Sequence, residues 1–399
     1  VFGVGCGGEA VRSSEATGRT AQAVTTTQWY DFAWVVSSAP AWSGPPNDWA
    51  VYAGGTQTWS GANPGANTPL VTHVSTGEYR VDIPGIGGSG GGNVQVVAYG
   101  KGAERCKVGS WFPETLSMPG SPLGTSAWVV CHDTTGNLVD SPFLFFFQAG
   151  SSYASGLDLL DGQAYVWSNA LSASSTPPAE YQWSTSGQPI TVQSAGTGQY
   201  TVTLPGLTQV GGTFIVTAYG WGSEYCKVGG WWTSSTATTA TVYCFTGAGA
   251  PANTQFSLTY RYGAPGDAIS MEGYFYLWAY APTSSSYSTL GTYGYNGAGF
   301  ETVTRSGAGQ YVVSAAYSYG FATLWPVALV SGYGSGPDYC KVGVNSASWT
   351  SDHLTYSVLC FTPAGVPADA MFDSLFEYVV RRDWACPSCC MAPIPIPPE

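Results

Sequence analysis

Three short stretches of the chain carry an acid, a cysteine and a lysine in one fixed spacing: ERCKVGSW at 104–111, EYCKVGGW at 224–231 and DYCKVGVN at 338–345. They pose a choice between a reactive site in triplicate and a piece of architecture. A reactive site is expected to differ in at least one copy or to bring a partner residue with it. Each stretch instead brings a second cysteine a short way on, so that Cys106 is followed by Cys131, Cys226 by Cys244 and Cys340 by Cys360. Disulfides closing loops of this size, between neighbouring strands or a strand and the one after next, would constrain the unfolded chain by roughly 3 kcal/mol each. Glu104, Glu224 and Asp338, with Lys107, Lys227 and Lys341, also recur in register. A paired-carboxylate glycosidase needs two acids of unlike environment in one cleft. One acid per copy reads instead as a charge pair on a strand edge, which keeps that edge soluble and unpaired.

Other candidates for chemistry are sparse. The three histidines, His73, His132 and His353, are not repeated in register, although His132 stands where the other copies carry Phe245 and Phe361. GGSGG at 87–91 satisfies G-x-S-x-G, but a nucleophile elbow turns from strand into helix, whereas DIPGIGGSGGGNVQVV runs from strand to strand. The CPSCC cluster at 386–390 lacks the βαβ setting of a redox pair and the fourth soft ligand of a zinc site. No calcium-loop pattern is present, so neither a metal nor a cofactor is expected, and no catalytic residue is assigned. Trp42, Trp59, Trp221, Trp231, Trp232 and Trp325 exceed what a sandwich core needs. Trp221, Trp231 and Trp232 are candidate glycan contacts, because aromatic faces among Ser and Thr suit sugars. The plainer reading has these rings fill contacts between strands and between domains.

The 12 Lys and Arg against 24 Asp and Glu give a net charge of −12, and no basic run is longer than Arg381-Arg382. That balance excludes the electrostatic footprint of nucleic-acid binding. Only 9% of residues are charged, against about 25% in an average soluble protein, so Ser, Thr, Gly, Asn and Tyr must build most of the surface. No apolar run approaches the ~20 residues of a membrane-spanning helix. Ten cysteines in such a chain point to an oxidising compartment and hence to export. VFGVGCGGE at 1–9 reads as the end of a signal peptide at a bacterial lipobox, with Cys6 as a candidate lipid anchor.

Elements that could hold these residues come from a repeat of about 115 residues, the size of a whole domain. Besides its cysteines, each copy carries G-x-Y-x-V (Gly77, Tyr79, Val81; Gly198, Tyr200, Val202; Gly309, Tyr311, Val313), then a tyrosine before glycine (Tyr99, Tyr219, Tyr333). An aromatic follows twelve residues after the second cysteine (Phe143, Phe256, Phe372). Runs such as EYRVDI, QYTVTL, FIVTAYG and FLFFFQ are strand-like in length and composition, and Gly, Pro, Asn and Ser punctuate them. About seven strands per copy predict an all-β protein of three tandem immunoglobulin-like β-sandwich domains, each with one intradomain disulfide. The expected divisions are an arm over 1–28, repeats over 29–150, 151–263 and 264–380, and a Cys/Pro-rich tail over 381–399. An extra strand at 28–36 precedes the first repeat, and the sandwiches are expected to stack end to end.

The best copy of the repeat, YVWSNALS (165–172), GTGQYTVTLPGL (196–207), VTAYGWGSEYCKVGGW (216–231) and VYCFTGAGAPANTQF (242–256), resembles a tandem module of secreted bacterial proteins. The resemblance spans roughly residues 47–380, with the first copy departing at WAVYAGG and His132, and the third lacking PGL. It implies a sandwich fold and export, and no chemistry. Four cysteines fall outside the repeat: Cys6, Cys386, Cys389 and Cys390, which could link one molecule to the next. The expected function is therefore a non-enzymatic, exported subunit of a surface filament or matrix, self-assembling by strand exchange or terminal disulfides. A carbohydrate-binding or adhesive module is the alternative.

Overall fold

The structure, a computed structural model, describes residues 31–37, 52–54, 70–83, 91–113, 124–149, 162–169, 173–263, 272–289, 293–295, 301–316, 326–343, 348–349 and 353–379, with Leu171 and Gly291. The arm 1–28, the tail 381–399, Trp42, Trp59, Trp325 and four cysteines (Cys6, Cys386, Cys389 and Cys390) lie outside these residues. Among the described residues there is no α-helix, only strands and a 3-10 turn at Ala179–Tyr181.

Unit one is built from β1 (Asp31–Ser37), β2 (Tyr52–Gly54), β3 (Leu70–Ser75), β4 (Glu78–Ile83), β5 (Asn93–Ala98), β6 (Arg105–Pro113), β7 (Thr125–His132) and β8 (Phe143–Ala149). Unit two repeats the order with β9 (Gly162–Ser168), β10 (Gln182–Ser184), β11 (Thr191–Gly196), β12 (Gln199–Pro205), β13 (Thr213–Tyr219), β14 (Tyr225–Thr233), β15 (Ala237–Phe245) and β16 (Gln255–Tyr262). Unit three has β17 (Glu272–Ala279), β18 (Ser286–Ser288), β19 (Gly294–Tyr295), β20 (Thr302–Gly307), β21 (Gln310–Ala316), β22 (Pro326–Gly332), β23 (Tyr339–Val342), β24 (Ser348–Trp349), β25 (His353–Phe361) and β26 (Phe372–Val379).

In each unit one sheet runs β2-β1-β8-β5, β10-β9-β16-β13 or β19-β17-β26-β22. The other contains β3-β4-β7-β6, β11-β12-β15-β14 or β20-β21-β25-β23. Moving the first strand of a unit to its end would turn this order into the A-B-E-D over C-F-G arrangement of a constant-type immunoglobulin sandwich. Asp31–Ser37, expected as an extra strand, pairs with β8 along its whole length, the place that β9 and β17 take in their own units.

Burial separates the two sheets. β12 alternates buried and half-buried residues, as a strand with one wet face should. β5, β8, β13 and β16 are buried nearly throughout, on both faces. One face closes its own sandwich, as Phe143, Phe145 and Phe147 do over Tyr79, Val81 and Val129. The opposite face meets the other units: Val97, Leu144 and Phe146 of unit one and Ile215 of unit two share one apolar cluster with Leu329 and Leu375 of unit three. An end-to-end stack would leave those faces in water. Instead the units close around a pseudo-threefold axis, each touching both others.

The disulfides Cys106–Cys131, Cys226–Cys244 and Cys340–Cys360 each join two adjacent strands at directly paired positions. The tyrosines of G-x-Y-x-V, Tyr79, Tyr200 and Tyr311, are 0–1% exposed. Their hydroxyls accept the backbone N–H groups of Ser141, Thr254 and Ala370 at 3.0, 3.1 and 3.2 Å, tying the start of the last strand to the rest of the unit.

Candidate functional site

The acid-x-Cys-Lys-Val-Gly stretch sits at the seam between consecutive units, and every position in it has an identifiable task. Its valine, Val108, Val228 or Val342, is fully buried. The carbonyl of that valine accepts from the backbone N–H of Gly220, Gly334 or Gly100 in the next unit at 2.9, 2.8 and 3.0 Å. The third of these bonds runs from unit three back to unit one, which closes the ring. The glycine after the valine lies at a bulge in the first two copies. A side chain there would strike Val130 at 2.9 Å in copy one and the Tyr243 ring at 2.4 Å in copy two.

The lysines do not decorate an exposed edge. Lys107, Lys227 and Lys341 are 4%, 2% and 1% exposed, and each reaches across the seam into the next unit. Lys107 Nζ donates to the Gly222 carbonyl at 2.9 Å and lies 3.4 Å from Glu224 Oε2. Lys227 Nζ donates to the carbonyls of Gly336 and Asp338 at 3.0 and 2.8 Å. Lys341 Nζ donates to the Gly102 carbonyl at 2.9 Å and to Glu104 Oε2 at 3.2 Å. The acid that meets a lysine therefore belongs to another copy. A flexible four-carbon stem and a compact ammonium suit this reach into a ring of carbonyls. Burial pushes Lys107 and Lys227 down to about 8, with Glu224 and Asp338 opposing, and lowers Lys341 against Glu104.

These three are among only four lysines in the chain, and the fourth, Lys101, is exposed. Brief treatment with an amine-acylating reagent at pH 8 should modify Lys101 at least ~10-fold faster than the other three, since a seam-opening cost of about 1.4 kcal/mol already gives that factor. Peptide mass spectrometry reads the result. Equal rates would mean that the seams stand open.

On the axis, the residue before each cysteine is Arg105, Tyr225 or Tyr339. Tyr225 and Tyr339 pack with Phe245 and Phe361, their cross-strand partners, in a small apolar cluster. The Arg105 guanidinium lies over both tyrosine rings, 4.6 and 4.8 Å from their centroids. Its cross-strand partner is His132, the histidine that replaces phenylalanine. Arg105 Nη2 donates to the carbonyls of Gly247 and Asp133 at 3.0 and 3.3 Å. Burial, with Lys107 and Arg105 beside it, pushes His132 down to about 4, so the ring is neutral at pH 7. A cavity of about 60 Å³ borders Arg105, His132, Lys107 and Lys341, and is floored by β5, β13 and β22.

A second polar cluster lies where the three inner sheets meet. Arg261 of unit two, 1% exposed, donates from Nε to Glu377 of unit three at 2.9 Å and from Nη2 to Gln148 of unit one at 2.7 Å. Thr259 accepts from Gln95 and Gln148 at 3.2 and 3.0 Å and donates to Asn93 at 3.1 Å.

Two buried acids contribute nothing of this kind. Neither oxygen of Asp373 has a hydrogen-bond partner among the described residues, and Asp373 is 0% exposed. Burial alone raises its pKa well above the carboxylate range. Burial also pushes Glu301 up to about 7, with Thr289 opposing. In both cases the native state holds a proton that the unfolded chain releases. The stability involved is thus fully present below about pH 4 and is lost as pH rises, through pH 7 for Glu301. Leu144 and Ser257 occupy the place of Asp373 in the other units. Asp373→Ser is expected to gain on the order of 2–3 kcal/mol at pH 7, and much less at pH 4. Urea unfolding at the two pH values checks this, and an equal gain at both would be the wrong result.

Of the candidate glycan contacts, Trp221 and Trp232 are 50% and 54% exposed. Trp221 lies beside Trp128 of unit one, with ring centroids 5.5 Å apart. Trp231 instead belongs to a filled aromatic knot between units two and three, against Trp278, Tyr293 and Tyr333 at 6.1, 5.9 and 5.5 Å. Trp111, Trp167, Tyr181 and Tyr219 form the same knot between units one and two. His73, on β3, meets Asp140 at 2.9 Å. His353 begins β25, and of GGSGG only Gly91 lies among the described residues.

Among the described residues no cluster of His, Cys, Asp and Glu has the form of a metal site, and no helix is long and apolar enough to cross a membrane. The fold and its seams define an all-β protein of disulfide-bonded, sandwich-like units closed about an axis. No protein-family model, curated protein or solved structure matches the chain.

Proposed function

We propose that this protein is a non-enzymatic, exported structural subunit, a rigid body that joins others of its kind in an extracellular filament or matrix. The observation that carries the reading is how the repeated chemistry is spent. The three lysines of the repeat, and Arg261 with Glu377, serve to hold one unit to the next. Three disulfides reinforce the units and suit an oxidising compartment. Linkage between molecules then falls to Cys6, Cys386, Cys389 and Cys390, or to exchange of the Asp31–Ser37 strand between neighbours. Non-reducing electrophoresis and negative-stain microscopy of native material test it. A disulfide ladder or a regular polymer is expected, and monomer alone at every concentration would sink the proposal.

Carbohydrate binding is the second reading, and the paired rings of Trp128 and Trp221 favour it, because a half-exposed aromatic face spanning two units could stack on a sugar. Quenching of tryptophan fluorescence by a glycan, lost in Trp221→Ala, would support it over the structural reading.

A further inference from the structure

The three units differ where they meet on the axis, and the difference is a matched pair: Arg105 with His132 in place of Tyr225 with Phe245 and Tyr339 with Phe361. Two apolar pairs would have been joined by a third at no electrostatic cost. Instead a guanidinium is 8% exposed, and its Nε and Nη1 find no acceptor among the described residues. A buried cationic donor without an acceptor is costly. The carboxylates that line the cavity are already engaged, Glu224 by Lys107 and Glu104 by Lys341. Around the cavity, Arg105, Lys107 and Lys341 bring three positive charges against the two of Glu104 and Glu224, with His132 neutral. The lining is left with one positive charge in excess. The cavity's roughly 60 Å³ is several times the ~10–15 Å³ that a single water needs.

We propose that this axial cavity binds one small monovalent anion, a halide or a carboxylate of formate size, against the free edge of the Arg105 guanidinium. Such an ion would supply the missing acceptor and cancel the excess charge. It would also clamp all three units at once, since Arg105 and Lys107 come from unit one, Glu224 and Tyr225 from unit two, and Tyr339 and Lys341 from unit three. The inference stands apart from the filament reading, because an isolated ring would bind the ion equally well.

Thermal unfolding of the full chain in chloride, formate or gluconate at equal ionic strength tests it. A saturable rise in Tm is expected with chloride or formate, roughly 3 °C at a hundredfold excess over Kd, and none with the bulky gluconate. A rise with only one of the two small anions also supports the site and identifies its ligand. The double variant Arg105→Tyr with His132→Phe, which copies the other two units, should fold and lose the response. Should that variant not fold, chlorine-35 line broadening on the unmodified protein, competed away by formate, reports binding directly. No rise with either small anion, a rise that persists in the folded variant, or a rise in chloride without chlorine-35 broadening would overturn the proposal.

Discussion

Replacing Arg261 with alanine is expected to cost about 3–5 kcal/mol, the range for breaking a buried ion pair by removing one partner. The arginine is 1% exposed and joins three units, with Glu377 at 2.9 Å and Gln148 at 2.7 Å. Truncation would strand the Glu377 carboxylate, 10% exposed, and one side of the Gln148 amide. The penalty is the desolvation of what remains, more than the attraction that is lost. A triple replacement, Arg261→Met, Glu377→Leu and Gln148→Leu, should therefore recover most of the loss, as apolar groups often equal or better a buried pair. Urea unfolding measures both. The single variant should lower the midpoint, and because the inner faces of all three units are one buried interior, the transition should remain single. A cost below about 1 kcal/mol, the range of exposed pairs, would show that water reaches the junction.

The second large effect is expected at Gly198. Its φ is +66°, and its carbonyl accepts the Cys244 N–H at 2.8 Å while its own N–H donates to Asn253 Oδ1 at 2.7 Å. A Cβ there would lie 2.4 Å from the Cys244 carbonyl oxygen and 2.7 Å from the Ala252 nitrogen, both backbone atoms that cannot step aside. Gly198→Ala should cost about 1–2 kcal/mol for the left-handed backbone and at least as much again for displacing the segment that follows the disulfide. Gly187 is the control, with the same φ of +66° and open space around it. Gly187→Ala should cost only the backbone part, about 1 kcal/mol. The difference between the two variants isolates the crowding. Gly77 and Gly309 repeat the arrangement, with oxygens 2.7 and 2.3 Å away, so the same substitutions there should behave like Gly198→Ala. Equal costs for Gly187 and Gly198 would mean that the turn opens without resistance.

Much of this molecule was legible in its residues because the relevant physics is local. Strands followed from Val, Thr, Tyr and Phe in short runs between turn residues, and the disulfides from cysteines 18 to 25 apart, although that spacing left open whether the strands they join pair directly. The repeated pattern followed from the period, and the departure at His132 was visible as a departure. The seam was not legible. Glu104 and Lys107 look like a pair along one strand, but Lys341, 237 residues away, is what meets Glu104. Periodicity reports the pleat of a strand and which face is dry, and FLFFFQ does signal two dry faces, yet it cannot say what covers the second. That was decided by the closure of three sandwiches on an axis. Closure turned an apparent edge charge into a clasp, turned Trp231 inward, and set Arg105 over two tyrosines that the chain reaches only 120 and 234 residues later. Residues determine what each unit is, because its contacts are near in sequence and repeated. Only the tertiary structure determines what the units do to one another, because contacts between units depend on their relative placement.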